Sequence, residues 1–227
     1  MAAPGASDTV VVVTGGDPVD PAHLPPLPSD AFVIAADSGV DRALALGLAV
    51  GLAIGDFDSV EPASLLHVAE RGAAVERHPA AKDATDLELA LDAALQRGAA
   101  RIVVIGGYGG RLDHLLANAQ LLASPAYARV AIEAQMGPAH VTVIRDQAAL
   151  AGPVGDLVSL LAMHGDAVGV RTEGLLYPLD DEALRPGATR GVSNELTTGI
   201  ATVSIRGGVL VAVQPGQLGT HQHPRTP

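Results

Sequence analysis

Short runs of apolar, mostly β-branched residues alternate with longer Ala- and Leu-rich segments through much of the chain. The short runs are bounded by Gly, Pro or Asp, which is typical of strands, and several longer segments end at a glycine, which is typical of helices. The pattern predicts strands at residues 9–14, 32–36, 52–54, 74–77 and 101–105. It predicts helices at residues 40–46, 62–71, 86–97 and 112–122.

This alternation of strands and helices predicts a mainly parallel α/β sheet that is covered by helices. After about Asp146 the chain changes character, and short strands are predicted at residues 157–163, 167–171, 200–205 and 209–213. Apolar and polar residues alternate in IATVSI, at residues 200–205, as expected for a sheet with one buried face. We therefore predict an α/β domain over residues 1–148 and a smaller β-sandwich-like domain over residues 149–227.

The composition sets limits on function. With 227 residues and 48% of them apolar, the chain can bury a sizeable core. It contains no cysteine, which excludes disulfides, thiolate nucleophiles and zinc-thiolate sites. A net charge of −11 argues against nucleic acid as a partner. The N-terminal apolar run is too short for a signal peptide or a membrane span, so we expect a cytoplasmic protein that does not bind membranes.

Aspartates follow several of the predicted strands. They are Asp37 in AADSG, Asp56 and Asp58 in GDFDS, Asp83 and Asp86 in KDATD, and Asp113 in GGRLDH. Because the carboxyl ends of parallel strands meet at one edge of a sheet, these side chains are expected to converge in one crevice. Carboxylates that are gathered in this way need a cation, and oxygen ligands suit Mg²⁺, whose usual companion is a phosphate chain.

The KDATD segment carries a capping box, in which the Thr85 hydroxyl accepts from the backbone of Glu88 and fixes Asp86 in the first helical turn. It also contains Lys82, the only lysine of the chain. The alternative interpretation is that Asp83 and Asp86 simply complement the helix dipole.

In GDFDS, Asp56 and Asp58 share a face if the segment is extended, and Phe57 on the other side can anchor the turn in the core. A solvated acidic turn is the alternative. In GGRLDH, Arg111 can bind a phosphate through two hydrogen bonds, or it can form an ion pair with Asp113.

Glycine pairs follow two predicted strands, at Gly15 and Gly16 and again within residues 106–110. Their backbone amides can approach phosphates, although neither segment has the spacing of a P-loop or of a dinucleotide-binding fingerprint. His114 and Asn118 lie four residues apart on one helical face, where we expect structural, hydrogen-bonded roles.

Together, ADSG, GDFDS, KDATD and GGRLDH, in this order and spacing, closely resemble the thiamine pyrophosphokinase family. The resemblance continues in TEGLLYPL at residues 172–179 and in GVSNE at residues 191–195, which are similar to the thiamine-binding β domain of that family. It extends over nearly the whole chain, from about Val11 to Val213.

The resemblance implies an enzyme that transfers a diphosphate group from ATP to the hydroxyl of thiamine, releasing AMP. By similarity, Asp56, Asp58 and Asp86 correspond to Mg²⁺-binding and catalytic positions, with Asp113 as a candidate base alongside the metal-bound carboxylates. The positions expected to line the nucleotide cleft are Gly15, Gly16, Asp37, Lys82, Asp83, Thr85 and Arg111. Ser193 and Asn194 correspond to the segment that meets thiamine.

The resemblance also implies a homodimer in which the α/β domain of one subunit and the β domain of the other enclose the active site. The chain departs from the family in its aromatic content, which is 2% with no Trp, so stacking on thiamine is expected from Tyr177, Tyr108 or an aliphatic surface. Two other functions are weighed against the kinase. One is a non-catalytic module that senses nucleotide or thiamine, and the other is a Mg²⁺-dependent phosphohydrolase that uses the same acidic cleft.

Overall fold

The computed structural model describes residues 8–216 of the chain. These residues form two compact units, and the division falls between Gly137 and Pro138. The division therefore precedes the domain boundary that the sequence predicted after residue 148. None of the helices in the described range has the length and apolarity needed to cross a membrane.

The first unit is built from alternating strands and helices. Its strands are β1 (Thr9–Val13), β2 (Phe32–Ala36), β3 (Val50–Gly55), β4 (Ala74–Arg77), β5 (Arg101–Ile105) and β6 (Ala131–Met136). Its helices are α1 (Gly39–Ala45), α2 (Pro62–Glu70), α3 (Asp86–Gln96) and α4 (Leu112–Leu122). The strands pair in the order β6-β5-β1-β2-β3-β4, and every pairing in this series is parallel.

Helices cover both faces of this sheet. Val11 and Val13 of β1 join a core cluster with Val40 of α1 and Val68 of α2. Val12 is also fully buried, and the alternation of side chains along a strand directs it to the opposite face. Helix α3 contacts β1, β2 and β3. A strand that is buried on both faces has no polar side, which explains the uninterrupted valines of β1.

The second unit consists of antiparallel strands. They are β7 (Ala139–Ile144), β8 (Gln147–Ala151), β9 (Leu157–Ala162), β10 (Ala167–Glu173), β11 (Glu182–Leu184), β12 (Asn194–Glu195), β13 (Ile200–Ser204) and β14 (Leu210–Gln214). One group pairs in the order β12-β9-β14-β7 and the other in the order β11-β10-β13-β8. A shared core takes Leu160 and Leu210 from the first group and Leu150 and Val203 from the second.

The predicted fold class is confirmed: a mainly parallel α/β unit is followed by a smaller antiparallel β unit. The five strands and four helices predicted for the first part of the chain are all present, with ends that either agree or differ by at most two residues. The sequence did not predict β6, β7, β8, β11 or β12. The change to antiparallel strands consequently begins at β7, earlier than expected.

Candidate active site

A cleft of about 620 Å³ opens in the first unit. It lies among the segments that follow the carboxyl ends of the parallel strands. In this sheet β1 lies between β2, the next strand along the chain, and β5, so the strand order changes direction at β1. Open α/β sheets bind ligands at such a switch point. Its polar and glycine lining comprises Thr14, Gly15, Gly16, Asp37, Ser38, Asp56, Asp58, Ser59, Lys82, Thr85, Asp86, Gly107, Gly109, Arg111, His114 and Asn118.

Three carboxylates converge in this cleft. One oxygen atom from each of Asp37, Asp56 and Asp58 lies within 4.8 Å of the others. These side chains come from the segments that follow β2 and β3, which are neighbouring strands. The cluster contains Asp37 and differs from the predicted metal set of Asp56, Asp58 and Asp86. The carboxylate of Asp86 lines the same cleft but is paired with Lys82.

The backbone conformations at Asp37 and Phe57, which set the directions of these carboxylates, are unusual. Asp37 has φ 45° and Phe57 has φ 60°, so both lie in the left-handed region that few non-glycine residues adopt. The predicted extended conformation of GDFDS is therefore wrong at Phe57, although its ring does pack against the core cluster as expected. Gly55 leaves room for the carboxylates, because a Cβ there would lie 3.1 Å from Asp86 Oδ1 and 3.2 Å from Asp37 N.

The cluster has the properties of a cation site. Asp37 Oδ1 is buried and makes no hydrogen bond within the described part of the chain. Burial raises the pKa of Asp37, the backbone N–H of Ser38 opposes that rise, and the charges of Asp86, Asp56 and Asp58 add to it. The cluster therefore offers a buried carboxylate oxygen that accepts no hydrogen bond, next to two further carboxylates. Such a set of oxygen ligands fits Mg²⁺.

Lys82 compensates part of the negative charge. Its side chain is 13% exposed, and Nζ lies 2.9 Å from Asp86 Oδ1 and 3.4 Å from Asp56 Oδ2. Burial alone would lower the pKa of Lys82, but the pairs with Asp86 and Asp56 outweigh it, so the pKa is raised. The pKa of Asp56 is lowered, mainly by the hydrogen bond from the backbone N–H of Asp58. Burial would raise this pKa, but Lys82 lowers it further. Lys82 therefore remains protonated at neutral pH.

The amino terminus of α3 opens on the cleft. The Thr85 hydroxyl accepts a hydrogen bond from Glu88 N at 3.2 Å, which confirms the predicted N-cap. Thr85, Asp86 and Leu87 line the cleft at this end of the helix, where the dipole favours negative charge. Asp83 was also expected in the cleft, but its side chain is exposed and does not belong to the lining.

Arg111 and Asp113 form an ion pair with each other. Arg111 Nε lies 3.2 Å from Asp113 Oδ1, and Nη2 lies 2.5 Å from Oδ2. Arg111 lowers the pKa of Asp113 to about 2. A carboxylate with so low a pKa is a weak base, and Asp113 is not part of the cleft lining, whereas Arg111 is. The geometry thus favours Arg111, and not Asp113, for a direct role.

The two glycine segments are locked together by their backbones. Gly107 N donates to Gly15 O at 2.7 Å, and Asp17 N donates to Tyr108 O at 2.7 Å. Gly16 has φ 116°, and a Cβ at this position would lie 2.3 Å from Tyr108 O. Glycine is therefore required at position 16 because the two segments approach each other closely. Both segments line the cleft at the ends of the strands.

His114 and Asn118 also line the cleft, although the sequence suggested purely structural roles for both. His114 is exposed in the first turn of α4. Asn118 is buried, and its Nδ2 donates to Gly107 O at 3.3 Å, which ties α4 to the glycine segment. The signal that could have identified them was their position in the GGRLDH helix, one and two turns after Arg111.

The predicted thiamine segment lies in the second unit. Asn194 is 3% exposed, its Oδ1 accepts from Tyr177 N and Glu195 N at 2.9 Å each, and its Nδ2 donates to Tyr177 O at 2.8 Å. Three of the four hydrogen-bonding positions of this amide are thus used within the protein, and little of the side chain is exposed. Ser193, with φ 58°, is exposed, and 59% of Tyr177 is accessible. These two side chains are the ones available to a ligand.

Two models of known protein families match the chain. The family model described as thiamin pyrophosphokinase, catalytic domain, matches residues 27–134, and the model for the vitamin B1 binding domain of the same enzyme matches residues 141–210. The chain belongs to the thiamin pyrophosphokinase family. The two matches fall on the α/β unit and on the antiparallel β unit, respectively.

Individual family members are similar over most of the chain. Thiamine pyrophosphokinase from Bacillus subtilis (strain 168) is 29% identical over 191 residues, which are 80% of this chain and 86% of the relative. The crystal structure of thiamine pyrophosphokinase from Bacillus subtilis matches with a TM-score of 0.80 and 28% identity, covering 92% of this chain and all of the other. That of thiamin pyrophosphokinase from Geobacillus thermodenitrificans gives a TM-score of 0.75 at 28% identity, covering 93% and 99%.

Proposed function

We propose that this enzyme transfers the diphosphate group of ATP to the hydroxyl of thiamine in the cleft of the first unit, with Mg²⁺ bound by Asp37, Asp56 and Asp58. Thiamine diphosphate synthesis follows from membership of the thiamin pyrophosphokinase family. The observation that carries the proposal for the site is the convergence of these three carboxylates at the carboxyl ends of β2 and β3, in the cleft at the carboxyl edge of the sheet. Bound Mg²⁺ would neutralise phosphate charge and orient the phosphate chain.

The residues around the cluster provide the remaining requirements of phosphoryl transfer, which depends on positioning and on charge neutralisation. Lys82 and Arg111 are cations on the cleft wall that can bind phosphate oxygens. The amides of Gly15, Gly16 and Gly109 lie at the carboxyl edge of the sheet, where they can approach the phosphates. Together these groups favour a bound, extended triphosphate.

The reaction forms a bond between the thiamine hydroxyl oxygen and the β-phosphorus of ATP, and it breaks the bond between that phosphorus and the oxygen bridging to the α-phosphate. AMP leaves with the bridging oxygen, and the hydroxyl proton has to pass to a base. The pKa of about 2 makes Asp113 a poor acceptor, and the pKa of Asp56 is also lowered, so Asp37, whose pKa is raised, is the better candidate within the cluster. Asp113 then acts by orienting Arg111.

Thiamine is a cation, and the second unit offers an exposed aromatic ring at Tyr177 and an exposed hydroxyl at Ser193 for its rings and aminopyrimidine. We assign Asn194 to holding the backbone of Tyr177 in place. The homodimer and the cytoplasmic location that the sequence indicated remain parts of this proposal. Light scattering on the purified protein tests the dimer.

Incubation with ATP, Mg²⁺ and thiamine tests the function, with AMP and thiamine diphosphate as the products to measure. AMP that forms only when thiamine is present supports the kinase. AMP or phosphate that forms without thiamine indicates a phosphohydrolase, and binding of either ligand without turnover indicates a sensor. When Asp56→Asn is measured in the same assay, Glu70→Gln is its control. Glu70 is an exposed acid at the end of α2, so this variant also removes one negative charge but does so away from the cleft.

A further inference from the structure

Phe57 is the residue between two carboxylates of the cluster, and its conformation is unfavourable. A bulky residue with φ 60° is rare, and such strain persists only where the surroundings enforce it. The neighbouring carboxylates depend on this turn. Asp58 N donates a hydrogen bond to Asp56 Oδ1 at 3.3 Å, and Ser59 Oγ donates to Asp58 Oδ1 at 2.6 Å.

Two contacts hold the ring of Phe57. It packs against the core cluster formed by β1, β2, β3, α1 and α2. The guanidinium of Arg77 also lies 5.1 Å from the ring centroid, within the range of a cation–π interaction. Arg77 ends β4, and its backbone is in register with Gly55, the residue that ends β3. The ring is therefore held by two contacts, one with the core cluster and one with the last residue of β4.

We infer that Phe57 is a positioning residue for the metal site: its anchored ring enforces the left-handed turn that directs the carboxylates of Asp56 and Asp58 into the cleft. This inference rests on the proposed function, because it takes the aspartate cluster as the Mg²⁺ site. Phe57 itself lies outside the cleft lining and acts only through its neighbours. Without the ring, nothing compensates the strain at residue 57, and the turn relaxes to another conformation.

The chain contains a matched control in Phe32, its only other phenylalanine. Phe32 is also partly buried, packs closely over Gly51, and has the guanidinium of Arg97 at 3.6 Å from its ring centroid. It begins β2 at the end of the strand opposite to Asp37, and it does not line the cleft. We expect loss of this ring to perturb the sheet but to leave the turn at GDFDS intact.

The test measures binding of Mn²⁺ alone by electron paramagnetic resonance, together with Tm, in purified variants. Phe57→Ala is expected to raise the Kd for Mn²⁺ by about 10- to 100-fold, as is usual when the support of a metal ligand is lost. Phe57→Leu retains an apolar anchor and is expected to keep a Kd close to that of the unsubstituted protein. Phe32→Ala is expected to lower Tm with the Kd unchanged.

Phe57→Gly separates the strain from the anchor, because glycine adopts the left-handed conformation without strain while the ring is removed. It is therefore expected to bind Mn²⁺ more tightly than Phe57→Ala. An unchanged Kd in Phe57→Ala, or an equal loss in Phe32→Ala, would overturn the inference. If the unsubstituted protein and Asp56→Asn bind Mn²⁺ equally, the metal assignment of the proposed function fails first, and this inference fails with it.

Discussion

Replacement of Lys82 by Gln removes the single positive charge that pairs with both Asp56 and Asp86. The two ion-pair distances are 3.4 and 2.9 Å, and the side chains of Lys82, Asp56 and Asp86 are only 13%, 18% and 25% exposed. Gln is one bond shorter than Lys and stays polar, so the change removes the charge with only a small loss of volume. We expect the metal-free protein to be clearly less stable after this change, since three carboxylates and Asp86 then repel one another without compensation.

The size of the effect follows from this burial. At an effective dielectric constant of about 20, each contact corresponds to roughly 5 kcal/mol of Coulomb attraction before the cost of desolvation is subtracted. Breaking a well-buried ion pair by removal of one partner costs about 3 to 5 kcal/mol. Because these side chains keep some solvent contact, we expect about 3 kcal/mol. For a chain of this size that corresponds to a fall in Tm of about 6 to 12 °C.

The assay is thermal unfolding at neutral pH, first with a chelator and then with Mg²⁺. Mg²⁺ is expected to stabilise Lys82→Gln more than the unsubstituted protein, because the cation replaces the lost charge compensation. Arg111→Gln is the control, since its pair with Asp113 has side chains that are 69% and 64% exposed and should leave Tm unchanged. Equal Tm values for Lys82→Gln and the unsubstituted protein in chelator would refute the reasoning.

Three further predictions concern the cleft and the second unit. Asp56→Asn is expected to abolish AMP formation while circular dichroism stays unchanged; normal turnover would remove Asp56 from the metal site. The pKa of Asp37 is raised in the folded state, so its ionisation destabilises the metal-free fold as pH rises through that pKa. Asp37→Asn should therefore raise Tm at pH 7. It should leave Tm unchanged at about pH 3, where Asp37 is protonated because the pH lies below the ordinary pKa of Asp. A lower Tm at pH 7 would contradict this. Asn194→Ala releases the backbone of Tyr177 and should raise the thiamine KM and lower Tm, whereas Ser193→Ala should raise the KM alone; a change confined to the ATP KM in either variant would place the segment at the nucleotide instead.

Local features of the first unit could be predicted because short-range rules decide them. The Thr85 cap is an example, since hydroxyl and amide are three residues apart and meet whenever a helix begins there. Strand β6 shows the opposite case. Its sequence, AIEAQM, consists mainly of residues that favour helices, and pairing with β5 makes it a strand. Propensity could not identify it, because the deciding contacts are long-range.

The sequence by itself determined the strands and helices of the α/β unit, the change to a β unit, and the placement of aspartates after successive strands. Local periodicity and the rule that parallel strands align their carboxyl ends are sufficient for these features. Only the tertiary structure decided that Asp37 joins Asp56 and Asp58 while Asp86 pairs with Lys82. The direction of each carboxylate depends on backbone angles that the core enforces and that residue type does not reveal.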